Sequence, residues 1–268
     1  MKALMKYPGA KWALAEWITS FFPPHHSYLE PFFGSGGVLL NKGKSNIETI
    51  NDLDDEVINL FECIRNNPER LAKAIFLTPY SRQAYEEAYI TKSTDNIEKA
   101  RNFYIRCNMG HGYRTTGEKV GWKVDIQGRE KSYAVRHWND VPERIIEAAE
   151  RMKCVQIESR PANSVIERFN FENVLIYADP PYLLKTRHGK QYKHEMTESD
   201  HIEFLEVIKN HKGPAIVSGY ESKLYNSALK DWHKEFKQSR TQSLAIKTEV
   251  LWMNFEPSIQ MEIKLKEG

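Results

Sequence analysis

"HSYLEPFFGSGGVLLNKGKSNIETINDLDDEVINLF", residues 26–61, carries the reading of the fold. A short strand ends at Glu30, Gly34, Gly36 and Gly37 make a turn, and a helix is expected from about Ser35. "NIETIND" reads as a second strand ending at Asp52, and Val57, Leu60, Phe61 and Ile64 recur at the i, i+3, i+4, i+7 spacing of an amphipathic helix. Strand, helix, strand, helix is the alternation of a parallel α/β sheet. Upstream, Leu14, Trp17, Ile18 and Phe21 repeat the helical spacing and predict a helix over residues 11–21.

From about Asn66 to Val141 the alternation stops. Helical stretches near 68–77, 81–90 and 95–107 lead into "NMGHGYRTTGEKVGWKVDIQGREKSYAVRHW" (108–138), which reads as turns and short hairpins. The α/β pattern returns with a helix carrying Val141, Ile145, Ala148 and Met152, the strand "CVQIES", a helix near 162–169 and the strand "NVLIYAD". Thr197 and Asp200 have the spacing of a capping box for a helix at about 198–211, followed by the strand "PAIVSGY" and a helix near 222–230. "WHKEFKQS", "TEVLWMNFE" and "IQMEIKL" are strand-rich and predict an antiparallel edge. The expected architecture is a doubly wound α/β domain from residues 1–65 and 142–268, interrupted by a mainly helical insert over 66–141.

Composition narrows the function classes. A chain of 268 residues, 41% hydrophobic and 28% charged, is that of an ordinary globular protein. A net charge of +2 does not force a polyanionic partner, so any nucleic-acid surface has to be a local patch. Cys63, Cys107 and Cys154 form no C-x-x-C pair and, with nine histidines lacking ligand spacing, point to neither a disulfide framework nor a metal. Lys6, Lys11 and Glu16 interrupt the N-terminal apolar run, so no signal peptide or membrane span is read. A soluble, cytoplasmic monomer is expected.

Glycine-rich strand-to-helix turns are common, and Gly34, Gly36 and Gly37 read equally as a plain tight turn or as a backbone that passes close beneath a nucleoside-like ligand. Asp52 follows Gly34 by 18 residues, the position of a carboxylate on ribose hydroxyls. The full G-x-G-x-x-G spacing is missing, and Glu30 before the turn disfavours a pyrophosphate. A nucleoside without phosphates, neutral or cationic, fits better. S-adenosylmethionine has that chemistry, with Tyr7 as an aromatic face and Glu30 as a counter-charge.

"ADPPY" (178–182) ends the most apolar strand, which places Asp179 at the carboxyl edge of the sheet. An aspartate before prolines is most often a turn or cap residue. A functional reading accounts for the whole motif. The amino group of a base has its lone pair delocalised into the ring and is a poor nucleophile. Two acceptors, the Asp179 carboxylate and the Pro180 carbonyl, would favour a tetrahedral nitrogen aimed at a methyl donor. Pro180 and Pro181 offer no competing N–H, and Tyr182 would stack on a base taken out of the duplex.

"KYPGAK" (6–11), "LEPFFGSGGV" (29–38), "NDLDDEVINLF" (51–61), "ADPPY" (178–182) and "TEVLWMNF" (248–255), in this order, resemble the Dam-like group of adenine-specific DNA methyltransferases. The resemblance implies S-adenosylmethionine as methyl donor, double-stranded DNA as partner and a target-recognition domain inserted before Asp179-Pro180-Pro181-Tyr182. It implies cofactor contacts for Tyr7, Lys11, Asp52 and Asp179, and a catalytic pocket made by Asp179, Pro180, Pro181 and Tyr182; Glu30, Phe32, Gly34 and Gly36 around the glycine turn are the further candidate cofactor contacts. The insert matches the hairpin of GATC-reading members only loosely, so the resemblance does not extend to GATC as the site. Related motifs also serve cytosine, RNA adenine and protein glutamine, and a non-catalytic DNA-binding module is the alternative of a different class. Aspartate at 179 and a basic insert favour adenine in DNA.

Residues 101–137 hold eight Lys/Arg against three acids, interleaved with Tyr113, Trp122 and Tyr133. A solvated face is the ordinary reading of such a run; its place in the insert favours contact with phosphates. Arg114, Lys119, Lys123 and Arg129 are the candidate DNA contacts there. Lys185 and Arg187 are the candidates in the acid-free loop 183–194, which is expected to close over the extruded nucleotide.

Overall fold

The structure is a computed structural model that describes residues 1–126, 133–186, 189–240 and 246–257. Among these, β1 (Ser27–Glu30), β2 (Ile47–Asn51), β3 (Val155–Glu158), β4 (Val174–Ala178), β5 (Ala215–Gly219), β6 (His233–Arg240) and β7 (Ile246–Met253) form one sheet. The helices are α1 (Ala15–Ser20), α2 (Asp55–Asn66), α3 (Pro68–Phe76), α4 (Arg82–Ile90), α5 (Asn96–Met109), α6 (Tyr133–Asn139), α7 (Val141–Met152), α8 (Ala162–Arg168), α9 (Glu198–Lys209) and α10 (Lys223–Ala228).

The strand order is β3-β2-β1-β4-β5-β7-β6, with β1 to β5 parallel and β7 antiparallel to both its neighbours. This is the expected mostly parallel sheet with a reversed edge. β4 lies in its middle, and all five of its residues, Val-Leu-Ile-Tyr-Ala, are buried. An unbroken apolar run is what a strand covered on both faces requires, each large aliphatic side chain contributing about 1.5–3 kcal/mol on burial. On one face Val165 and Ile166 of α8 and Phe204, Leu205 and Ile208 of α9 close over Leu29, Ile176, Val217 and Trp252.

The register sets the position of the site. Glu30 pairs with Ile50, Leu29 with Ile176 and Ala178 with Val217, so β1, β2, β4 and β5 end along one edge. β7 runs the other way, and its pair Gly219–Val250 brings Glu249 to that same edge.

α9 starts with the expected capping box, Thr197 and Asp200 each accepting from the other's backbone N–H. The helix expected from Ser35 is instead a series of turns over residues 35–42, with isolated i→i−4 bonds such as Leu40 N to Gly36 O (3.1 Å). Gly34 and Gly36 have φ of 53° and 70°, outside the helical basin, and the Asn41 amide donates to Gly37 O, competing with a regular ladder. The helix expected over 11–21 shortens to α1, with Leu14, Trp17, Ile18 and Phe21 all buried.

A second compact unit contains Met1–Ala10, Asp54–Cys154 and Gln191–Lys193. Its edges differ from the expected insert over 66–141, because α2 and α7 turn apolar faces (Val57, Leu60, Phe61, Ile64; Val141, Ile145, Ala148, Met152) toward α5 and α3. Part of the stretch read as hairpins is α6, anchored by buried Trp138, whose indole N–H donates to Thr78 O at 2.9 Å. The Gly110–Trp122 bridge is the antiparallel pairing recorded in that stretch. Residues 127–132 and the expected strand "IQMEIKL" lie outside the described residues. Among the described residues no helix is long and apolar enough to cross a membrane, and no three His, Cys, Asp or Glu side chains group as metal ligands.

Candidate active site

Three acids reach the carboxyl edge of the parallel strands: Glu30 ends β1, Asp52 follows β2 and Asp179 follows β4. The glycine turn organises the first two. Gly34, in the left-handed region, donates its N–H to Asp52 Oδ2 at 2.8 Å and ties the two ends of the nucleotide-type crossover together. A Cβ on Gly37 would stand 3.0 Å from Trp12 N and 3.2 Å from Lys11 C, so glycine here lets the segment bearing Lys11 lie against the turn.

Lys11 is the centre of the site. Its Nζ stands 2.9 Å from Asp179 Oδ2, 3.5 Å from Glu249 Oε1 and 4.8 Å from the centroid of the Tyr182 ring. The other Asp179 oxygen accepts from Ser218 Oγ at 2.8 Å, and Ser218 Oγ lies 3.0 Å from the Tyr177 hydroxyl. The Tyr182 hydroxyl donates to Glu249 Oε1, and its ring meets Tyr220 edge-on with centroids 4.6 Å apart. Lys247 Nζ sits 4.4 Å over the Tyr220 ring.

One ammonium thus serves two carboxylates in a nearly dry setting. Burial raises the Glu249 carboxyl and the Asp179 charge adds to that, while Lys11 opposes both. Burial, followed by the charges of Asp179 and Glu249, pushes the Tyr182 phenol far above its ordinary range, so it stays a donor. Glu30 is fully enclosed and burial raises it to about 8; the Tyr28 hydroxyl, donating to it at 2.9 Å, works in the opposite sense.

Lys11, the Asp179-Pro180-Pro181-Tyr182 turn and the glycine turn with Asp52 all lie within the part of the chain that matches a known family. The family model described as "D12 class N6 adenine-specific DNA methyltransferase" matches residues 7–244. The chain belongs to this family. Among relatives, it is 26% identical to a DNA adenine methylase of Vibrio cholerae serotype O1 over 192 residues, 68% of this chain and 65% of the relative. It is 25% identical to the Type II methyltransferase M1.LlaDCHI of Lactococcus lactis subsp. cremoris, covering 87% of this chain and 86% of that one. The retron Ec67 DNA adenine methylase of Escherichia coli is 22% identical, with 96% and 95% covered. The chain therefore spans slightly under two thirds of the Vibrio relative and nearly all of the other two.

In this D12-class chain the site gathers Lys11, Asp179 and Tyr182 in direct contact and Gly34 with Asp52 in another. Pro180 is buried and Pro181 half-buried. Gly36 adopts the left-handed turn, and the Phe32 ring packs edge-on to Phe204 at 5.5 Å. Tyr7 is buried in the other unit, with its ring centroid 6.3 Å from that of Tyr192. Arg114 pairs with Glu118 (2.8 Å), Lys119 with Glu86 (3.4 Å) and Lys185 with Glu198 (2.6 Å). All three pairs are exposed, where solvent screening leaves an ion pair little net stability. Lys123 holds the insert through its backbone, accepting from the Tyr80 hydroxyl at 2.7 Å. Burial, then the neighbouring Lys123 charge, brings Lys6 down to about 8. Arg129 and Arg187 lie outside the described residues.

Sequence reasoning missed Ser218, Tyr220, Lys247 and Glu249. Ser218 and Tyr220 fall in a stretch read only as a strand, Glu249 in one read as a strand and as part of the resemblance with no role given to the acid, and Lys247 just before it. The signal available was the polar residue inside an otherwise apolar run, Ser218 in "PAIVSGY" and Glu249 in "TEVLWMNF".

Proposed function

We propose that this chain transfers a methyl group from S-adenosylmethionine to N6 of an adenine extruded from double-stranded DNA. The observation that carries the reading is the Asp179 carboxylate, held from opposite sides by Ser218 and Lys11 beside the Tyr182 ring. A rigid acceptor next to an aromatic face is what activation of an exocyclic amine requires.

The residues present fit the cofactor: Asp52, oriented by Gly34 N–H, is a carboxylate for ribose hydroxyls, and Asp179 is an acid toward a cationic group, whereas Glu30, enclosed and mostly protonated at neutral pH, supplies no full counter-charge. When bound, it would supply an electrophilic methyl on a sulfonium whose sulfur would keep the electron pair of the S–CH3 bond as the methyl passes to the nitrogen. Asp179 Oδ accepts one hydrogen of the target amino group and the Pro180 carbonyl the other, which frees the nitrogen lone pair for attack. The methylated nitrogen is then positive and gives up one proton, for which the Asp179 carboxylate is the adjacent base. Tyr182 supplies the face on which the extruded ring stacks, and its bound hydroxyl keeps that face in one orientation. The exposed cations Arg114, Lys119 and Lys185, with Lys123, Arg129 and Arg187, are the proposed DNA contacts.

The test is transfer of labelled methyl from S-adenosylmethionine to unmethylated duplex DNA, RNA and bulk protein in parallel, with digestion of the products. Label recovered as N6-methyldeoxyadenosine from duplex DNA is expected. Label confined to cytosine, RNA or protein would overturn the reading.

A further inference from the structure

Glu249 stands out among its neighbours. Val250, Leu251, Trp252 and Met253 of β7 are all fully buried apolar residues, and Glu249 is only 3% exposed beside them. An enclosed carboxylate is destabilising unless its partners offset the lost hydration. Those partners are not generic. They are the Tyr182 hydroxyl, which donates to Oε1, and Lys11 Nζ, which stands 3.5 Å from the same oxygen and 2.9 Å from Asp179 Oδ2. The reversed direction of β7 is what brings the acid here, one residue beyond the Gly219–Val250 pair.

We infer that Glu249 is a positioning residue for methyl transfer, which fixes the Tyr182 ring through its hydroxyl and draws part of the Lys11 charge away from Asp179. Without the hydrogen bond, the Tyr182 ring keeps its contact with Tyr220 but loses its anchor at the far end. Without the second carboxylate, the Lys11 ammonium is no longer shared between Asp179 and Glu249. An ammonium held fully on Asp179 weakens that carboxylate as an acceptor for the adenine amino hydrogens. Both consequences act on the reacting geometry and leave unchanged the glycine turn and Asp52, proposed to hold the nucleoside part of the cofactor. The inference rests on the proposed adenine methylation and assigns a residue to it.

The experiment uses Glu249→Gln, Glu249→Asp, Tyr182→Phe and the double variant Glu249→Gln/Tyr182→Phe in the full chain, with thermal unfolding checked for each. Glu249→Gln is expected to lower kcat by roughly 100-fold, the cost of a small misplacement at a reacting centre. The S-adenosylmethionine dissociation constant should stay within twofold, Glu249→Asp should recover part of the loss, and the double variant should be no worse than the worse single one, as for residues acting in one unit. A second readout does not depend on turnover. In protein carrying fluorotyrosine, the Tyr182 resonance, assigned by its absence in Tyr182→Phe, should shift or broaden in Glu249→Gln. A Glu249→Gln variant within threefold of wild-type kcat, multiplicative losses in the double variant, or an unmoved Tyr182 resonance would each overturn the assignment. Failure of the wild type to methylate adenine, with the resonance shift present, would instead count against the reaction and leave the contact established.

Discussion

Glu30 shows how a single residue can be read correctly in position and only partly in state. Its place before the glycine turn marked it as a counter-charge, but enclosure raises its carboxyl from 4.5 to about 8, so at neutral pH it mostly keeps its proton. Between those two values the unfolded chain has released the proton and the folded chain has not, so stability falls as pH rises, and it levels off above the folded value. One such group imposes a slope of at most about 1.4 kcal/mol per pH unit. Glu30→Gln removes it: chemical denaturation of the variant between pH 5 and pH 8 should show a shallower decline than the wild type, and an identical decline would show that Glu30 ionises as freely as in water. Asp179, Lys11 and the Gly34–Asp52 pair were legible because their motifs bring several unusual residues together. Glu249 was not, because an acid between apolar residues on a strand gives no sign of which partner it meets until the register is known.

At the scale of elements, apolar periodicity located the parallel strands and the long helices, since burial on one or two faces leaves that pattern in the residues. It failed where local backbone chemistry overrides periodicity. Val38, Leu39 and Leu40 look like the start of a helix, yet the left-handed glycines before them and the Asn41 side chain leave turns. The gain is a tight seat for Lys11, because the backbone of residues 11 and 12 approaches where a Cβ on Gly37 would stand. Gly37→Ala is therefore expected to push that segment back, costing about 1–3 kcal/mol of stability by overpacking. It should lower kcat more than it weakens S-adenosylmethionine binding, because Lys11 is moved relative to Asp179. Wild-type stability and turnover in this variant would mean that the seat is loose. α6 was misread for the opposite reason: it is short, and two buried residues, Ala134 and Trp138, carry too little periodicity to stand out among turns.

For the molecule as a whole, the order of motifs foretold a parallel sheet with a reversed edge, which is observed as β3-β2-β1-β4-β5-β7-β6. The edges of the second compact unit were less legible, since α2 and α7 have the amphipathic pattern of sheet-covering helices and nothing in that pattern names the partner face. The reversed strand matters for chemistry as well as closure: it supplies Glu249 and Lys247 to an edge otherwise built from parallel strand ends. The central claim is that this edge activates an adenine amino group through Asp179, and turnover of Asp179→Ala on duplex DNA, measured beside the wild type, tests it most directly. The account predicts a fall in kcat of roughly 1,000-fold or more with the unfolding midpoint nearly unchanged, as expected when a preorganised electrostatic partner of the transition state is removed. Turnover within roughly tenfold of the wild type would contradict it.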